Sequence, residues 1–277
     1  MLLKIENLSL SVPVPTGTRR LLDRVSIHVD DGETIGLVGE SGSGKSTTAR
    51  AALALTPDDA VTEGCVVVGG VDVLSASAAA VGDVRKNTAA MIFQDPRAAL
   101  NPVRRIGDSA TERLVRVHGI AQRVATRRIV ELFIEVGLPD PERILRNYPH
   151  ELSGGMLQRV SVAAALSTNP RLLLADEATS ALDVTTQAEV LALIRRMRQE
   201  RGLGVLFITH DLLLAAAYCD RVYVMRDGRV VDEQPGAALF DSPKNEYTRA
   251  LAAATPRLPE RAYTLAADHD DTSGDHE

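Results

Sequence analysis

Residues 39–47, Gly-Glu-Ser-Gly-Ser-Gly-Lys-Ser-Thr, constrain the fold of this chain more than any other stretch. From position 39 to position 46 they fit the phosphate-binding pattern G-x-x-x-x-G-K-[ST]. The apolar run 35–38 predicts a buried strand leading into the segment, and residues 47–53 predict the first turns of a helix leading out. A strand, a glycine-rich loop and a helix in this order indicate an α/β fold.

The phosphate loop, defined as residues 39–46, has the chemistry to hold an anion. Its glycines let the backbone turn tightly, so that successive N–H groups and the start of the next helix point toward a phosphate. We expect Lys45 to bridge the β- and γ-phosphates and Ser46 to bind Mg²⁺. The predicted nucleotide contacts are Gly39, Ser41, Gly42, Ser43, Gly44, Lys45, Ser46 and Thr47. A glycine- and serine-rich loop that fits the pattern by chance is the alternative.

Bulk composition narrows the class of protein. With 277 residues and 45% hydrophobic content, the chain can bury the core of one α/β domain with a sub-domain, or of two small domains. No run approaches the length of about 18 to 20 apolar residues that crosses a bilayer. Because Lys4 and Glu6 stand where a signal peptide would be apolar, we expect the protein to remain in the cytosol. The net charge of −6 argues against nucleic acid as the main partner.

Two minor features carry structural expectations. Cys65 and Cys219 have neither the number nor the spacing of a disulfide framework or metal site, so we expect two reduced core residues. The segment 268–277 is acidic and has no large apolar residue, which predicts disorder. We therefore expect one nucleotide-binding domain over residues 1–255 and a tail over residues 256–277.

The remaining patterns predict a β lobe, a helical insertion and a parallel sheet. Apolar alternation within 3–12 and 25–29 predicts two antiparallel strands, while 65–70 and 222–231 predict hairpins, the second with an Asp-Gly turn. Charged stretches with helical spacing at about 97–150 predict an inserted helical sub-domain. The continuous apolar runs 172–175 and 205–208 suit buried parallel strands. They are connected by a helix at about 187–200 that ends at Gly202.

Polar groups follow four of the apolar strands. The strand 35–38 precedes the phosphate loop, 90–93 precedes Gln94, 172–175 precedes Asp176 and Glu177, and 205–208 precedes Thr209 and His210. In an open α/β sheet, ligands bind at the carboxyl ends of the strands. We therefore predict that these groups converge on one nucleotide.

The carboxylate pair and the histidine have separate expected roles. Asp176 is placed to hold Mg²⁺, through water, and Glu177 to polarise an attacking water as a general base. His210 is expected to contact the γ-phosphate. A solvated acidic pair and a structural histidine are the alternatives.

A second glycine-rich segment begins at Ser153. Ser153 is a typical N-cap, and Gly154 and Gly155 leave the following helix with bare N–H groups and a positive dipole end. Because one nucleotide needs only one phosphate loop, this second phosphate site is most simply supplied to a nucleotide held by another copy or a sister chain. A plain helix cap is the alternative.

Together these motifs resemble the ATP-binding subunit of ABC transporters over about residues 3–255. The set comprises 39–47, Gln94, 152–158, 176–177, 180–183 and His210. The resemblance implies a P-loop NTPase fold with a mainly parallel core sheet, an N-terminal antiparallel β lobe and the inserted helical sub-domain. It implies two subunits packed head to tail around two ATP molecules. Further nucleotide contacts would come from Gln94, Ser153, Gly154, Gly155, Gln158 and Asp183, and Mg²⁺ ligands from Ser46, Gln94 and Asp176.

Four shorter segments, 94–96, 100–102, 148–151 and 247–251, resemble the oligopeptide, dipeptide and nickel importer branch. That branch implies Mg²⁺-dependent ATP hydrolysis that drives uptake of peptides or nickel-type metal complexes. Expected partners are a second ATPase subunit, identical or paralogous, integral membrane permease subunits and, indirectly, an extracytoplasmic substrate-binding protein. The expected location is peripheral, on the cytoplasmic face of the membrane. The alternatives are a soluble ATPase of the same superfamily acting on nucleic acid or ribosomes, and a nucleotide sensor without turnover.

Overall fold

The computed structural model describes residues 1–255, which form two β-sheets with helices packed around them. The strands are β1 (Leu3–Val14), β2 (Gly17–Val29), β3 (Thr34–Val38), β4 (Val61–Val68), β5 (Val71–Asp72), β6 (Ala89–Ile92), β7 (Leu172–Asp176), β8 (Gly204–Ile208), β9 (Arg221–Arg226) and β10 (Arg229–Pro235). The expected tail over residues 256–277 lies outside the described residues.

The first sheet is antiparallel, with strand order β2-β1-β4-β5. Leu3 of β1 pairs with Val29 of β2 on one side and with Val68 of β4 on the other. Apolar side chains that alternate along β1 face the core, as the sequence pattern requires for a sheet with one covered face. Both predicted strands and the 65–70 hairpin are confirmed, since Val68 pairs with Val71 around the turn.

The second sheet has strand order β10-β9-β3-β8-β7-β6. Strands β6, β7, β8, β3 and β9 run parallel, and only β10 is antiparallel to its neighbour. Every residue of β3, β7 and β8 is buried, because helices cover one face of this part of the sheet and the antiparallel sheet with α1 covers the other. The predicted parallel core is confirmed, and so is the hairpin with the Asp-Gly turn.

The described α-helices follow the predicted pattern. They are α1 (Lys45–Ala51), α2 (Ala78–Asp83), α3 (Pro96–Ala99), α4 (Ile106–Glu112), α5 (Gln122–Glu135), α6 (Pro141–Arg146), α7 (Gly154–Leu166), α8 (Val184–Arg201), α9 (Leu212–Tyr218) and α10 (Glu246–Ala254). The crossover helix α8 begins three residues earlier than expected, because Asp183 accepts a hydrogen bond from the Thr186 amide and caps it. Gly202 ends it with a φ of 67°, in the left-handed region.

Within residues 97–150 the described structure is helical, with α4, α5 and α6 and a π-helical turn at Arg113–Val117. Buried side chains of these helices, such as Ile129 and Phe133, belong to the same hydrophobic core as α7 and one face of the parallel sheet. The helices are as expected, and the division into a sub-domain stays a prediction.

Two further features concern the cysteines and membrane crossing. Cys219 is buried, whereas Cys65 is only half-buried on β4, so the expectation of two core cysteines is wrong for Cys65. The reason is its pairing partner Glu6, which places it away from the covered face of the antiparallel sheet. Within residues 1–255, no helix has the length and apolar character to cross a membrane.

Candidate active site

The phosphate loop connects β3 to α1, and its shape depends on glycine. Gly39 has a φ of 148°, and a Cβ atom there would lie 2.2 Å from the carbonyl oxygen of Met225. Gly44 has a φ of 104°, and its Cβ would lie 2.7 Å from a methyl group of Leu22. A larger residue at either position would collide with its neighbour, so both glycines are required for this backbone path. The Gly228 amide also donates to the Ser43 carbonyl at 3.0 Å, which joins the loop to the β9–β10 turn.

Lys45 is held beneath this loop. Its Nζ donates to the carbonyl oxygens of Gly39 and Glu40, both at 2.8 Å, and the residue is 6% exposed. Burial lowers the pKa of Lys45, and the nearby carboxylates of Glu177 and Asp176 oppose that shift. The ammonium group is therefore fixed at the loop and stabilised by negative charge on the neighbouring strand end.

Asp176, the last residue of β7, lies against the start of α1. The Ser46 hydroxyl donates to its Oδ1 at 2.8 Å, and its Oδ2 is buried without a hydrogen-bond partner in the described chain. Burial raises the pKa of Asp176, while the Ser46 hydrogen bond and the positive charges of Arg50 and Lys45 oppose the rise. A hydroxyl oxygen beside an unpartnered carboxylate oxygen suits a hard cation such as Mg²⁺, which in nucleotide sites takes one or two protein ligands and completes its shell with phosphate and water.

Glu177 follows in a conformation that the sequence did not reveal. Its φ of 49° is in the left-handed region, where a residue other than glycine is strained. The strained turn directs the carboxylate toward two predicted partners. Gln94 Nε2 donates to Oε2 at 2.9 Å, and His210 Nδ1 lies 3.3 Å from Oε1. The strand ends of β6, β7 and β8 thus place Gln94, Glu177 and His210 together.

The other predicted nucleotide contacts in this region differ in exposure. Ser41 and Gly42 are exposed at the tip, Ser43 is buried beside Lys45, and Thr47 is half-buried in the first turn of α1. The predicted convergence of the phosphate loop, Asp176, Glu177, Gln94 and His210 is present in the structure. Their contacts with a nucleotide stay predictions.

The second glycine-rich segment starts α7 as expected. The Ser153 hydroxyl accepts a hydrogen bond from the Met156 amide at 3.2 Å and caps the helix. Ser153 is exposed, a Cβ at Gly154 would meet open space, and a Cβ at Gly155 would lie 3.4 Å from the Ala181 carbonyl oxygen. We name residues 153–155 the helix-tip segment. It therefore lies next to the 180–183 stretch.

Asp183 belongs to the same exposed surface. Its carboxylate accepts hydrogen bonds from the amide of Thr186 at 3.0 Å and from the hydroxyl of the same residue at 2.8 Å. These two hydrogen bonds lower the pKa of Asp183. The side chain is thus fixed as a helix cap at the surface.

Gln158 is enclosed by the protein. It is fully buried on α7, and neither its amide nitrogen nor its amide oxygen has a hydrogen-bond partner in the described part of the chain. Because it lies beyond the first turn of the helix, its side chain turns into the core instead of toward the helix tip. A contact between Gln158 and a nucleotide stays a prediction.

Sequence patterns left two contributions to the site unassigned. The Ser180 hydroxyl donates to the Glu177 carbonyl at 3.0 Å and supports the strained turn. Ser180 lies in the 180–183 segment of the motif set, but the sequence gives it no role in this turn. Met225 contributes only a carbonyl oxygen behind Gly39, and a backbone contribution of this kind leaves no signal in residue type.

Comparisons with known proteins agree with this site. A model of the family described as ABC transporter matches residues 22–180. The chain is 43% identical over 271 residues to a probable peptide ABC transporter ATP-binding protein, y4tR, of Sinorhizobium fredii, covering 94% of this chain and 81% of the relative. It is 41% identical over 259 residues to the oligopeptide transport ATP-binding protein OppD of Bacillus subtilis, covering 93% and 72%.

Solved structures give the same result. The dimeric post-hydrolysis structure of the ATP-binding cassette MJ0796 bound to ADP and Pi has a TM-score of 0.77 and 26% identity, covering 84% of this chain and 98% of that one. A structure described as the ATP binding subunit of an ABC transporter has a TM-score of 0.70 and 27% identity, covering 85% and 90%. The fold and the site define a P-loop ATPase. The chain belongs to the ABC transporter family.

Proposed function

We propose that this chain hydrolyses ATP as the energy-supplying subunit of a peptide importer. The observation that carries the chemistry is the Glu177 carboxylate, held between Gln94 and His210 at the carboxyl ends of parallel strands. Lys45 and the Ser46–Asp176 pair complete the same edge of the sheet. This arrangement has a phosphate cradle, a cation site and a candidate base, which are the parts that phosphoryl transfer to water requires.

The phosphate loop is proposed to bind the ATP phosphates through its backbone N–H groups and Lys45. The hydroxyl of Ser46 and the carboxylate of Asp176 would hold Mg²⁺, with Gln94 as the third proposed ligand. Bound there, Mg²⁺ neutralises charge on the phosphate oxygens during transfer. The unpartnered Oδ2 of Asp176 supports this proposal, because a buried carboxylate oxygen without a partner costs free energy unless a ligand satisfies it.

Glu177 is proposed as the general base that accepts a proton from the attacking water. Gln94 donates to one carboxylate oxygen and His210 lies at the other, so both contacts fix the direction of the group. The side chain of His210 is 65% exposed, which leaves it accessible to a bound γ-phosphate. His210 and Lys45 would stabilise the negative charge that develops there.

The helix-tip segment is proposed to complete the site of a second ATPase subunit, identical or paralogous. Ser153, Gly154, Gly155 and the adjacent Asp183 lie on an exposed surface where bare helix N–H groups are available to an anion. The similarity to a dimeric cassette bound to ADP and Pi supports this assembly. Each subunit would then contribute the phosphate loop to one ATP and the helix tip to the other.

The proposed cargo is a peptide. The relatives y4tR and OppD are described as peptide and oligopeptide transport proteins, which favours peptides over nickel-type complexes and transport over action on nucleic acid or ribosomes. The subunit would act at the cytoplasmic face of the membrane, with permease subunits against the helical region 97–150. A substrate-binding protein would deliver the peptide from the other side.

Purification with the membrane subunits tests the proposal. In the reconstituted complex, phosphate release from ATP should require Mg²⁺ and rise when the binding protein carries a peptide. Release that is unaffected by removal of Mg²⁺ would contradict the assignment of Ser46 and Asp176. Stimulation by a nickel complex but not by peptides would contradict the proposed cargo.

A further inference from the structure

The last described helix, α10, begins beside the outer strand β10. Its N-cap Asn245 accepts a hydrogen bond from the Tyr247 amide at 2.8 Å, and its side-chain nitrogen donates to the Val231 carbonyl at 3.0 Å. The Asn245 amide donates to the Asp232 carboxylate at 3.1 Å. Two of these hydrogen bonds fix the start of α10 to β10, and the third caps the helix at Tyr247.

The aromatic ring of Tyr247 lies against the end of β9. The guanidinium carbon of Arg226 is 4.8 Å from the centre of the ring, a distance typical of a cation–π contact. Arg226 directly follows Met225, whose carbonyl oxygen lies behind Gly39 of the phosphate loop. Two residues further along, the Gly228 amide donates to the Ser43 carbonyl. The ring therefore packs on the segment that supports the loop from behind.

The hydroxyl group of Tyr247 is buried and has no hydrogen-bond partner of normal geometry within residues 1–255. Burial, together with the charge of Glu40, raises the pKa of Tyr247. Glu40 in turn accepts the Lys45 ammonium through its carbonyl oxygen at 2.8 Å.

These contacts form a continuous path from helix α10 to the phosphate-binding lysine. We propose that Tyr247 is a positioning residue for nucleotide binding. Its ring packs on Arg226 and supports the end of β9, where the Met225 carbonyl lies behind Gly39 and the Gly228 amide donates to the Ser43 carbonyl. Because the Gly39 carbonyl accepts the Lys45 ammonium at 2.8 Å, this support fixes the ammonium in the geometry that receives the phosphates of a nucleoside di- or triphosphate. The proposal rests on the use of ATP proposed above and adds a residue about 200 positions away from the loop in sequence.

The helix has other anchors, which separates this role from a general contribution to folding. Thr248 and Ala252 are buried on α10, and Leu251 packs against the main hydrophobic core, as Tyr247 also does. Tyr247 differs from Leu251 in its contact with Arg226 at the end of β9. With Thr248, Leu251 and Ala252 still packed, loss of the Tyr247 ring should leave the helix in place and change the loop. Loss of the Leu251 side chain should weaken the packing of the helix and leave the end of β9 in position.

Three variants test the proposal in the full-length protein: Tyr247→Leu removes the ring, Tyr247→Phe keeps it, and Leu251→Ala is the matched control. We expect Tyr247→Leu to raise the KM for ATP about fivefold, as loss of one cation–π or polar contact predicts, with kcat within about twofold. The ADP dissociation constant should rise by the same factor. Tyr247→Phe should stay within about twofold of the wild type. Leu251→Ala should lower Tm without changing the KM.

A double variant tests whether Tyr247 acts through Arg226. Because Arg226 and Tyr247 touch, the effects of Arg226→Met and Tyr247→Leu on ADP affinity should be less than additive. An unchanged ADP affinity in Tyr247→Leu would overturn the proposal, as would a KM rise in Leu251→Ala equal to that in Tyr247→Leu. Binding of ADP needs no turnover. A wild-type protein that binds ADP without hydrolysing ATP would therefore overturn the proposed function and leave this test intact.

Discussion

The phosphate loop and the helix-tip segment are both glycine-rich entrances to a helix, yet the protein surrounds them differently. At the phosphate loop, the Met225 carbonyl leaves no room for a Cβ atom on Gly39, and the Leu22 side chain leaves none on Gly44. Lys45 is buried beneath the loop. At the helix tip, a side chain on Gly154 would meet open space, and Ser153 is exposed. One segment is enclosed by its own chain, and the other faces outward.

This difference indicates that the ligand of the helix-tip segment comes from outside the chain. The phosphate loop has its candidate cation site and candidate base within the chain, in Asp176 at the end of the next but one strand and in Glu177 directly after it. Around the helix-tip segment, the groups described above are the Ser153 hydroxyl that caps the helix and the nearby Ala181 carbonyl. A helix N-terminus with unused N–H groups attracts an anion, so a second subunit's nucleotide is its expected complement.

The largest expected effect concerns Glu177, which lies near the enclosed phosphate loop. Glu177→Gln should lower phosphate release by about 10²- to 10⁴-fold, because an amide cannot accept the proton of the attacking water. ATP affinity should remain close to that of the wild type, since the loop is untouched. Phosphate release and an ATP titration measure the two effects. The exposed, ion-paired Glu135 is the matched control, and Glu135→Gln should leave both unchanged. Undiminished turnover in Glu177→Gln would refute the role of the base.

The next largest expected effect is on ATP binding by the phosphate loop. Lys45→Ala should weaken ATP affinity by about 10- to 100-fold, which is the range for loss of a charge-assisted contact. Lys244→Ala, at an exposed lysine on the surface, is the control. Isothermal titration with ATP measures both variants. Equal affinity in wild type and Lys45→Ala would mean that the loop does not bind the phosphates through this ammonium.

A smaller effect is expected at the helix-tip segment, which faces outward. Ser153→Ala should cost about 1 kcal/mol of stability through loss of the helix cap. In the Glu177→Gln background it should also weaken ATP-dependent dimerisation, measured by light scattering after chromatography. Ser77 caps α2 through the Ala80 amide, so Ser77→Ala is the matched control with a lost cap and an unaffected dimer. A Glu177→Gln protein that stays monomeric with ATP would contradict the proposal that the helix-tip segment completes the site of a second subunit.

The smallest effect is a gain in stability at the cation site. Because burial raises the pKa of Asp176, its ionised form is disfavoured in the folded protein, and stability is lost as pH rises through that raised pKa. In the presence of a chelator, Asp176→Asn should therefore raise Tm at pH 7 by about 2–4 °C. The difference should shrink as pH falls toward about 4, the ordinary range of the group. A lower Tm in the variant at pH 7 would show that the carboxylate stabilises the fold.

Much of this architecture follows from local patterns. The phosphate loop, the buried runs of β7 and β8, the cap at Ser153 and the stop at Gly202 each depend on a few adjacent residues whose backbone preferences are strong. For the same reason, the order of polar groups at strand ends was enough to predict that Gln94, Glu177 and His210 meet.

Other features depend on contacts between distant segments. Gln158 turns into the core, Glu177 adopts a left-handed conformation, and the Tyr247 ring packs on Arg226. No neighbouring residue in the chain signals these outcomes, because each is imposed by elements that meet only after folding. The fold class and the phosphate-binding chemistry can be predicted from residue order, since both reside in short motifs. Which side chains face the site depends on the folded protein, because packing of remote helices and strands sets their direction.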